Sequence, residues 1–384
     1  MKTSIQLTSA VLVAMLMLAG CGGGGSSGSV GTTTPTTPTG PGAPAAGAFD
    51  AGGAGVATNL VDNGTGTPVI AKFTSALAVN DLNQVIGYAE VTQGALFTAS
   101  LWTVDADGSA TVAPTALAPI STGGFAAAFA LDGSGKVVGQ AADGSRLVAV
   151  IWNNGAGAPT ILPQLAAAGN YAAYAISTDG SLIVGEASNA TGQNRAVLWM
   201  ANDAGAFLAA PTVLPTNIFA SGADLSRFSS ASGVARVGST EILIAGEAEA
   251  GNGNLHGALW RSADGGASFA AVDLGLDQPA YAVNGRRQVV GENLATLSPV
   301  SWTVSATGLA GAPVVLATRG SAVAINDSGR IAGTSGAPGL ATVWSGITST
   351  AQYTTPSQAF GLNNALQPLV VGQVGSLGFV KRAN

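Results

Sequence analysis

The chain has 384 residues, 9% of them charged and 47% hydrophobic, and its 14 Lys and Arg against 20 Asp and Glu give a formal charge of −6. That balance excludes a disordered polyelectrolyte, and without a basic run there is nothing to neutralise phosphates, so nucleic acid is not an expected partner. Glycine, at 55 residues, exceeds its usual share of about 7% but has no every-third-residue period, which excludes collagen and points to a fold with many tight turns.

Residues 1–20 read as an export signal. Met1 and Lys2 make a positive start, Val11 to Leu18 is an apolar run too short to span a bilayer, and Leu18-Ala19-Gly20-Cys21 follows. These residues resemble the lipobox of bacterial lipoproteins. The resemblance implies that Cys21 becomes the acylated amino terminus and that several acyl chains on it hold the protein to a membrane. Gly22, rather than Asp, after the cysteine implies by the same resemblance the outer membrane, facing the periplasm or the cell surface. Cys21 is the sole cysteine, so the rest of the chain has no thiol for a disulfide, a thiolate metal site or a nucleophile.

Residues 21–48 are dominated by Gly, Ser, Thr and Pro without a single charge and are expected to be a flexible tether. Gly23-x-Gly25-x-x-Gly28 matches a dinucleotide-binding fingerprint, yet no strand precedes it and no helix follows.

From residue 49 to 384 one pattern recurs. A small-residue segment ends near Asn or Asp, a turn follows, an aliphatic pair closes on Gly, and after a polar loop an apolar segment ends in Trp. The first copy runs from Ala76 through Gly87 to Trp102. Five more end at Trp152, Trp199, Trp260, Trp302 and Trp344, and a seventh passes Gly372 without reaching a Trp. The Gly-to-Gly spacings are 52, 46, 61, 45, 42 and 39 residues, close to the period of about 40–50 expected for propeller blades.

Segments of five to eight residues rich in Val, Ile and Leu, separated by pairs such as Asp132-Gly133, predict strands. Three precede each Trp, and a fourth follows in segments such as Pro159-Thr160-Ile161-Leu162, with proline confined to an edge that needs no donor. The seventh copy has too few residues for a fourth strand, whereas Thr67 to Ala71 before the first copy looks like the missing one. The expected fold is therefore all-β, a seven-bladed β-propeller of four-stranded blades, closed by an N-terminal strand that completes the last blade.

The repeated A-x-A-x-N, turn, V-V-G and A-x-L-W resembles the bacterial HAF-repeat extracellular proteins, with His256-Gly257-Ala258-Leu259-Trp260 the copy nearest to that name. The resemblance covers about 300 residues and implies export and a propeller-like fold, with no established activity. Ser262 to Phe269 is similar to the Asp-box of sialidase-type propellers, a turn between third and fourth strands.

No catalytic residue, metal site or cofactor is expected. His256 is the only histidine, so a multi-histidine metal site is excluded. The residue after the motif Gly is polar in six of the seven copies: Gln140, Glu186, Glu247, Glu292, Thr334 and Gln373, with Tyr88 the exception. Because this residue opens the loop between second and third strands, Glu186, Glu247 and Glu292 are expected on one face with Arg195, His256 and the insertion 217–230. The opposite face, with its short Asp-Gly hairpins, is expected to leave little material for a pocket. The functional expectation is a lipid-anchored envelope module, monomeric, that binds a glycan, peptide or cation or acts as a scaffold. The alternative is a sialidase-like envelope hydrolase or lyase, which would need an arginine cluster and a paired acid.

Overall fold

Each copy of the repeat forms an antiparallel meander. The computed structural model describes residues 73–383 apart from 91–97, 107, 109–114, 167–168, 217–226, 252, 309 and 375–376. The signal, the tether with Cys21, the segment 67–71 and most of the insertion 217–230 lie outside the described residues.

Blade 1 comprises β1 (Phe73–Val79), β2 (Gln84–Glu90), β3 (Thr98–Thr103) and β4 (Thr115–Ala116). Blade 2 follows with β5 (Ala126–Leu131), β6 (Lys136–Ala142), β7 (Leu147–Asn153) and β8 (Ala156–Ile161). Blade 3 has β9 (Tyr171–Ile176), β10 (Leu182–Ser188), β11 (Asn194–Met200) and β12 (Thr212–Val213). Blade 4 is β13 (Ser229–Val237), β14 (Glu241–Glu249), β15 (Leu255–Ser262) and β16 (Ala270–Leu276). Blade 5 is β17 (Ala280–Val283), β18 (Gln288–Asn293), β19 (Ser298–Thr303) and β20 (Val314–Val315). Blade 6 is β21 (Gly320–Ile325), β22 (Arg330–Ser335), β23 (Leu340–Ser345) and β24 (Thr348–Ala351). Blade 7 shows three strands among the described residues: β25 (Ser357–Leu362), β26 (Leu369–Val374) and β27 (Leu377–Arg382). The chain is thus a seven-bladed β-propeller, with the first strand of every blade innermost.

Sterics explain the letters of the repeat. At every motif Gly a Cβ would collide with a backbone oxygen of the first strand or of the residue just before it: Ser75 at Gly87, Ala127 at Gly139, Ala172 at Gly185, Ser230 at Gly246, Pro279 at Gly291, Ser321 at Gly333 and Gln358 at Gly372. Beside this contact each first strand carries an extra residue, a β-bulge, where the register slips, as between Ala76 and Ala78 or between Ala359 and Gly361. The alanine before the bulge is buried in all seven blades. The residue after it is Ala or Gly because it faces the next blade: a Cβ on Gly233 would stand 2.9 Å from the Ala282 Cα.

The Asn that ends the pattern serves two blades. In blade 6, Asn326 Oδ1 accepts from the backbone N–H groups of Ser328 (3.1 Å) and Arg330 (2.9 Å), which shapes its own hairpin. Its Nδ2 donates across to the Asn363 carbonyl of blade 7 (2.9 Å). Asn284 does the same toward Asn326, and Asn80 toward Asp132. The ring meets itself where Asn363 Nδ2 donates to the Asn80 carbonyl (3.4 Å) and the Asn364 N–H donates to Asp81 Oδ1 (2.7 Å).

Blade 2 carries Asp132 instead, whose Oδ1 accepts the bonds that shape the hairpin but which has no amide N–H for the next blade. There the Gly133 N–H donates to the Thr178 carbonyl (3.0 Å). Blade 4 lacks the Asn altogether, and charged pairs stand in: Arg236 with Asp179 toward blade 3, and Glu241 with Arg287 toward blade 5.

All six tryptophans are buried to within 1%. Trp152, Trp199 and Trp260 each donate Nε1–H to a carbonyl just beyond the fourth strand of the preceding blade, those of Ala118, Pro163 and Pro215 (2.7–2.8 Å). In blade 7 the register places Lys381 where the others have Trp, since Val370 pairs with Lys381 as Val85 pairs with Trp102. Lys381 Nζ is buried, donates to the Gln352 carbonyl (2.8 Å) and lies 5.2 Å from the centroid of the Tyr353 ring. A lysine therefore makes the inter-blade bond of the missing tryptophan.

Candidate functional site

Each bulge adds one residue to the first strand, the innermost strand of its blade. Those residues are Leu77, Phe129, Tyr174, Ser232, Tyr281, Val323 and Phe360. All seven line an axial cavity of about 500 Å³ whose walls run from each bulge to the hairpin that ends the first strand. The volume lies within the range of small-ligand sites, roughly 300–1,000 Å³.

The cavity is two-sided. Blades 6, 7, 1 and 2 contribute Val323, Phe360, Leu77 and Phe129, whereas blades 3, 4 and 5 contribute the hydroxyl-bearing residues Tyr174, Ser232 and Tyr281. Phe129 and Tyr174 meet at the seam, with ring centroids 5.6 Å apart. On the hydroxyl side glutamates stand behind the bulge. Tyr174 donates its O–H to Glu186 Oε1 (2.9 Å), which also accepts from Asn194 Nδ2 (3.0 Å). Burial, and then the charges of Glu292 and Glu247, hold the Tyr281 proton far more firmly than in a free phenol. Burial also raises the pKa of Glu292, against the lowering effect of its neighbour Tyr281.

At the mouth the lining includes Asp81, Asp132, Asp179 and Asp327, with Arg236 as the single base among the described residues. Burial alone would raise the Asp179 pKa, but hydrogen bonds from Ser177 and Ser181 and the Arg236 charge overcome it and hold the group at about 2. Arg236 donates to Asp179 Oδ2 (3.1 Å) and to Ser181 Oγ (3.0 Å).

The residues expected at the site are only partly brought together. Glu186 accepts a hydrogen bond from Tyr174, and Glu247 and Glu292 lie near Tyr281, but none of the three glutamates is among the residues that line the cavity. Arg195 is buried in β11 and donates to Thr216 Oγ1 (3.2 Å). His256 stands apart, between the outer strands β15 and β16, with Nδ1 3.0 Å from the Asp273 carboxylate. The expectation that the hairpin end leaves little material for a pocket does not hold, because the first strands themselves supply the walls and the hairpins the mouth.

Reading the sequence missed the bulge residues. The available signal was that x in A-x-A varies from Ser to Phe while its flanks stay Ala or Gly. The Asp-box turn is structural, as expected: Asp264 accepts from Ser262 and Ser268 between β15 and β16, and those bonds lower its pKa. Among the described residues no three His, Cys, Asp or Glu side chains cluster as metal ligands.

Fold and site together define a seven-bladed β-propeller with an axial cavity opening among its inner hairpins. No family model and no curated protein matches the chain. It is similar to the β-propeller domain of the Trilobed protease from Pyrococcus furiosus, with TM-score 0.49 and 8% identity over 81% of this chain and 96% of that one. It is also similar to a Hadza microbial sialidase (TM-score 0.43, 9% identity, 85% and 68% covered). A third similar structure is Trypanosoma rangeli sialidase in complex with the inhibitor DANA (TM-score 0.43, 12% identity, 83% and 57% covered). The likeness is one of general propeller form, and no chemistry passes with it.

Proposed function

We propose that this protein is a lipid-anchored propeller of the cell envelope that acts as a binding or scaffolding module and holds its ligand in the axial cavity. The observation that carries the reading is the cavity itself, about 500 Å³ bounded by all seven first strands. Its shape is set by bulges and inter-blade hydrogen bonds, so it is pre-formed and binding costs little reorganisation. The lipobox-like Leu18 to Cys21 supports export and acylation to the outer membrane, and the likeness to HAF-repeat proteins supports an extracellular repeat protein. The segment 67–71 is proposed as the fourth strand of blade 7, beside β27. A sialidase-like hydrolase would need several arginines converging on an anionic sugar. The cavity lining has Arg236 alone, and Asp179 already engages it, which favours binding over that chemistry.

The test is a cavity-filling variant. Ser232→Trp places an indole on the axis at a half-buried position while leaving the motif contacts in place. Full-length wild type and variant are compared for binding to a glycan array and to fractionated envelope extract, with melting temperature as the control. The expected result is a bound component that is lost in the variant at unchanged stability. Equal binding by both would remove the cavity from the function. Separately, Cys21→Ser should abolish labelled-palmitate incorporation and release the protein from membranes; unchanged labelling would end the anchoring proposal.

A further inference from the structure

We propose that the mouth end of the propeller lies on the membrane, with the aliphatic tips of its turns, Leu82, Leu208, Ile347 and Leu366, dipped into the lipid surface. The inference rests on acylation of Cys21 and on the segment 67–71 as the fourth strand of blade 7. Three features carry it.

The first is where the tips stand. Strand direction alternates within a blade, so the turn after the first strand and the turn after the third emerge at the same end, the end at which the cavity opens. Leu82 lies between β1 and β2, and Leu366 between β25 and β26; Leu208 lies between β11 and β12, and Ile347 between β23 and β24. Leu366, Leu208 and Ile347 are 85%, 75% and 73% exposed, more than any other large aliphatic side chain among the described residues, and Leu82 is 56% exposed. Ile347, Leu366 and Leu82 stand on the consecutive blades 6, 7 and 1, and the bond from the Asn364 N–H to Asp81 ties the hairpins of the last two together.

The second is the form of the exposure. At the opposite end Leu276, Leu294 and Leu297 are each less than half exposed and gather on blades 4 and 5, where the Leu294 N–H donates to the Asp277 carbonyl (2.8 Å). The mouth-end tips instead stand singly on four blades. A protein partner buries a contiguous patch, whereas single tips spread around a ring are met together only by a surface that deforms around each of them. The boundary between lipid headgroups and acyl chains is such a surface.

The third is the path of the chain. The fourth strand of a blade runs antiparallel to the third and so starts at the mouth end. β27 ends there at Arg382, and the segment 67–71 laid beside it starts there and delivers the chain to Phe73 at the opposite end, where β1 begins. The tether therefore leaves the domain at the mouth end. As a flexible chain, residues 22–66 have a root-mean-square span of about 40 Å, so the anchor holds this end beside the bilayer at high effective concentration and weak contacts at the tips suffice. The aspartates of the mouth give no long-range pull toward anionic lipid, and the contact is carried by the aliphatic tips and the anchor.

The test places a fluorescent probe at either end of the full-length acylated protein in phosphatidylcholine vesicles. Cysteine is introduced by Leu82→Cys or Leu366→Cys at the mouth end and by Leu276→Cys or Leu294→Cys at the opposite end, and each is labelled with nitrobenzoxadiazole. All four positions are exposed, so the variants should melt with the unsubstituted protein. The mouth-end probes should emit at shorter wavelength and lose most of their emission to lipid carrying a spin label high on its acyl chain. The opposite-end probes should keep theirs and stay open to aqueous iodide. Probe attached to the unsubstituted protein would reveal a free Cys21 thiol and remove the anchor, and the inference with it. If the proteins float with the vesicles but both ends are quenched alike, or the opposite end more, the anchor stands and the orientation falls. Mouth-end probes shielded from iodide yet untouched by the lipid label would put a second copy of the chain on this face and overturn the lipid contact.

Discussion

Gly185 has no room for a methyl group, because the backbone oxygen of Ala172 occupies the place where a Cβ would go. Gly185→Ala should therefore force the two inner strands of blade 3 apart and cost about 3 kcal/mol in denaturant unfolding. Gly192→Ala is the matched control: that residue has φ of +83° with nothing within 4 Å of the added carbon, so only backbone strain, about 1 kcal/mol, is expected. Equal losses would show that conformation and not collision selects glycine in the motif.

Asp179 sets a pH dependence. Its folded pKa of about 2 lies below the reference 3.8, so it contributes stability that is complete above about pH 4 and is lost as the pH falls toward 2. With 46% of its side chain exposed, screening reduces the contribution to about 1 kcal/mol. In Asp179→Asn the acid limb of the stability curve should flatten by that amount; an unchanged limb would show that the Arg236 contact adds nothing. At this scale the repeat was readable as a list of residue types, but the reasons behind them were not. That Asn326 bonds its own hairpin with oxygen and the next blade with nitrogen depends on a neighbour 37 residues away.

Between elements, the blades are joined by a small set of polar bonds laid over apolar packing. Asn326→Asp keeps the acceptor that shapes the hairpin and removes the donor to Asn363, leaving a buried carboxylate beside a carbonyl oxygen. A loss of about 2–3 kcal/mol at neutral pH is expected, measured by chemical unfolding, and a neutral result would make the inter-blade bond dispensable. Trp199 joins blades 2 and 3 both by burial and by its bond to the Pro163 carbonyl. Trp199→Ala should cost about 3–5 kcal/mol. Intact stability with loss of sugar binding would instead make this tryptophan a platform for ligand. That tryptophan packs between blades was legible from its single recurring repeat position. That Lys381 replaces it in blade 7 was not, because nothing local distinguishes a buried lysine from a C-terminal one on the surface.

For the molecule as a whole, a ring is stable when each blade has two neighbours. Deleting residues 49–72, which leaves β1 whole, takes away the proposed fourth strand of blade 7 and should lower the melting temperature of the whole domain, whereas deleting 22–45 should leave it unchanged. Equal melting of both truncations would mean that the Asn363 and Asn364 bonds to blade 1 suffice for closure. The count of seven blades, the four strands of the first six and the all-β class follow from the sequence alone, since period, turn residues and aliphatic pairs are local and repeat along the chain. Which residues face the axis was decided only by the tertiary structure. Along a strand side chains alternate, so one bulge residue reverses the facing of all that follow, and the bulge exists because a glycine on the paired strand lets a backbone oxygen approach. That pairing also decided which end of the ring holds the cavity, for the wall is built of first strands whose inward residues no local pattern marks.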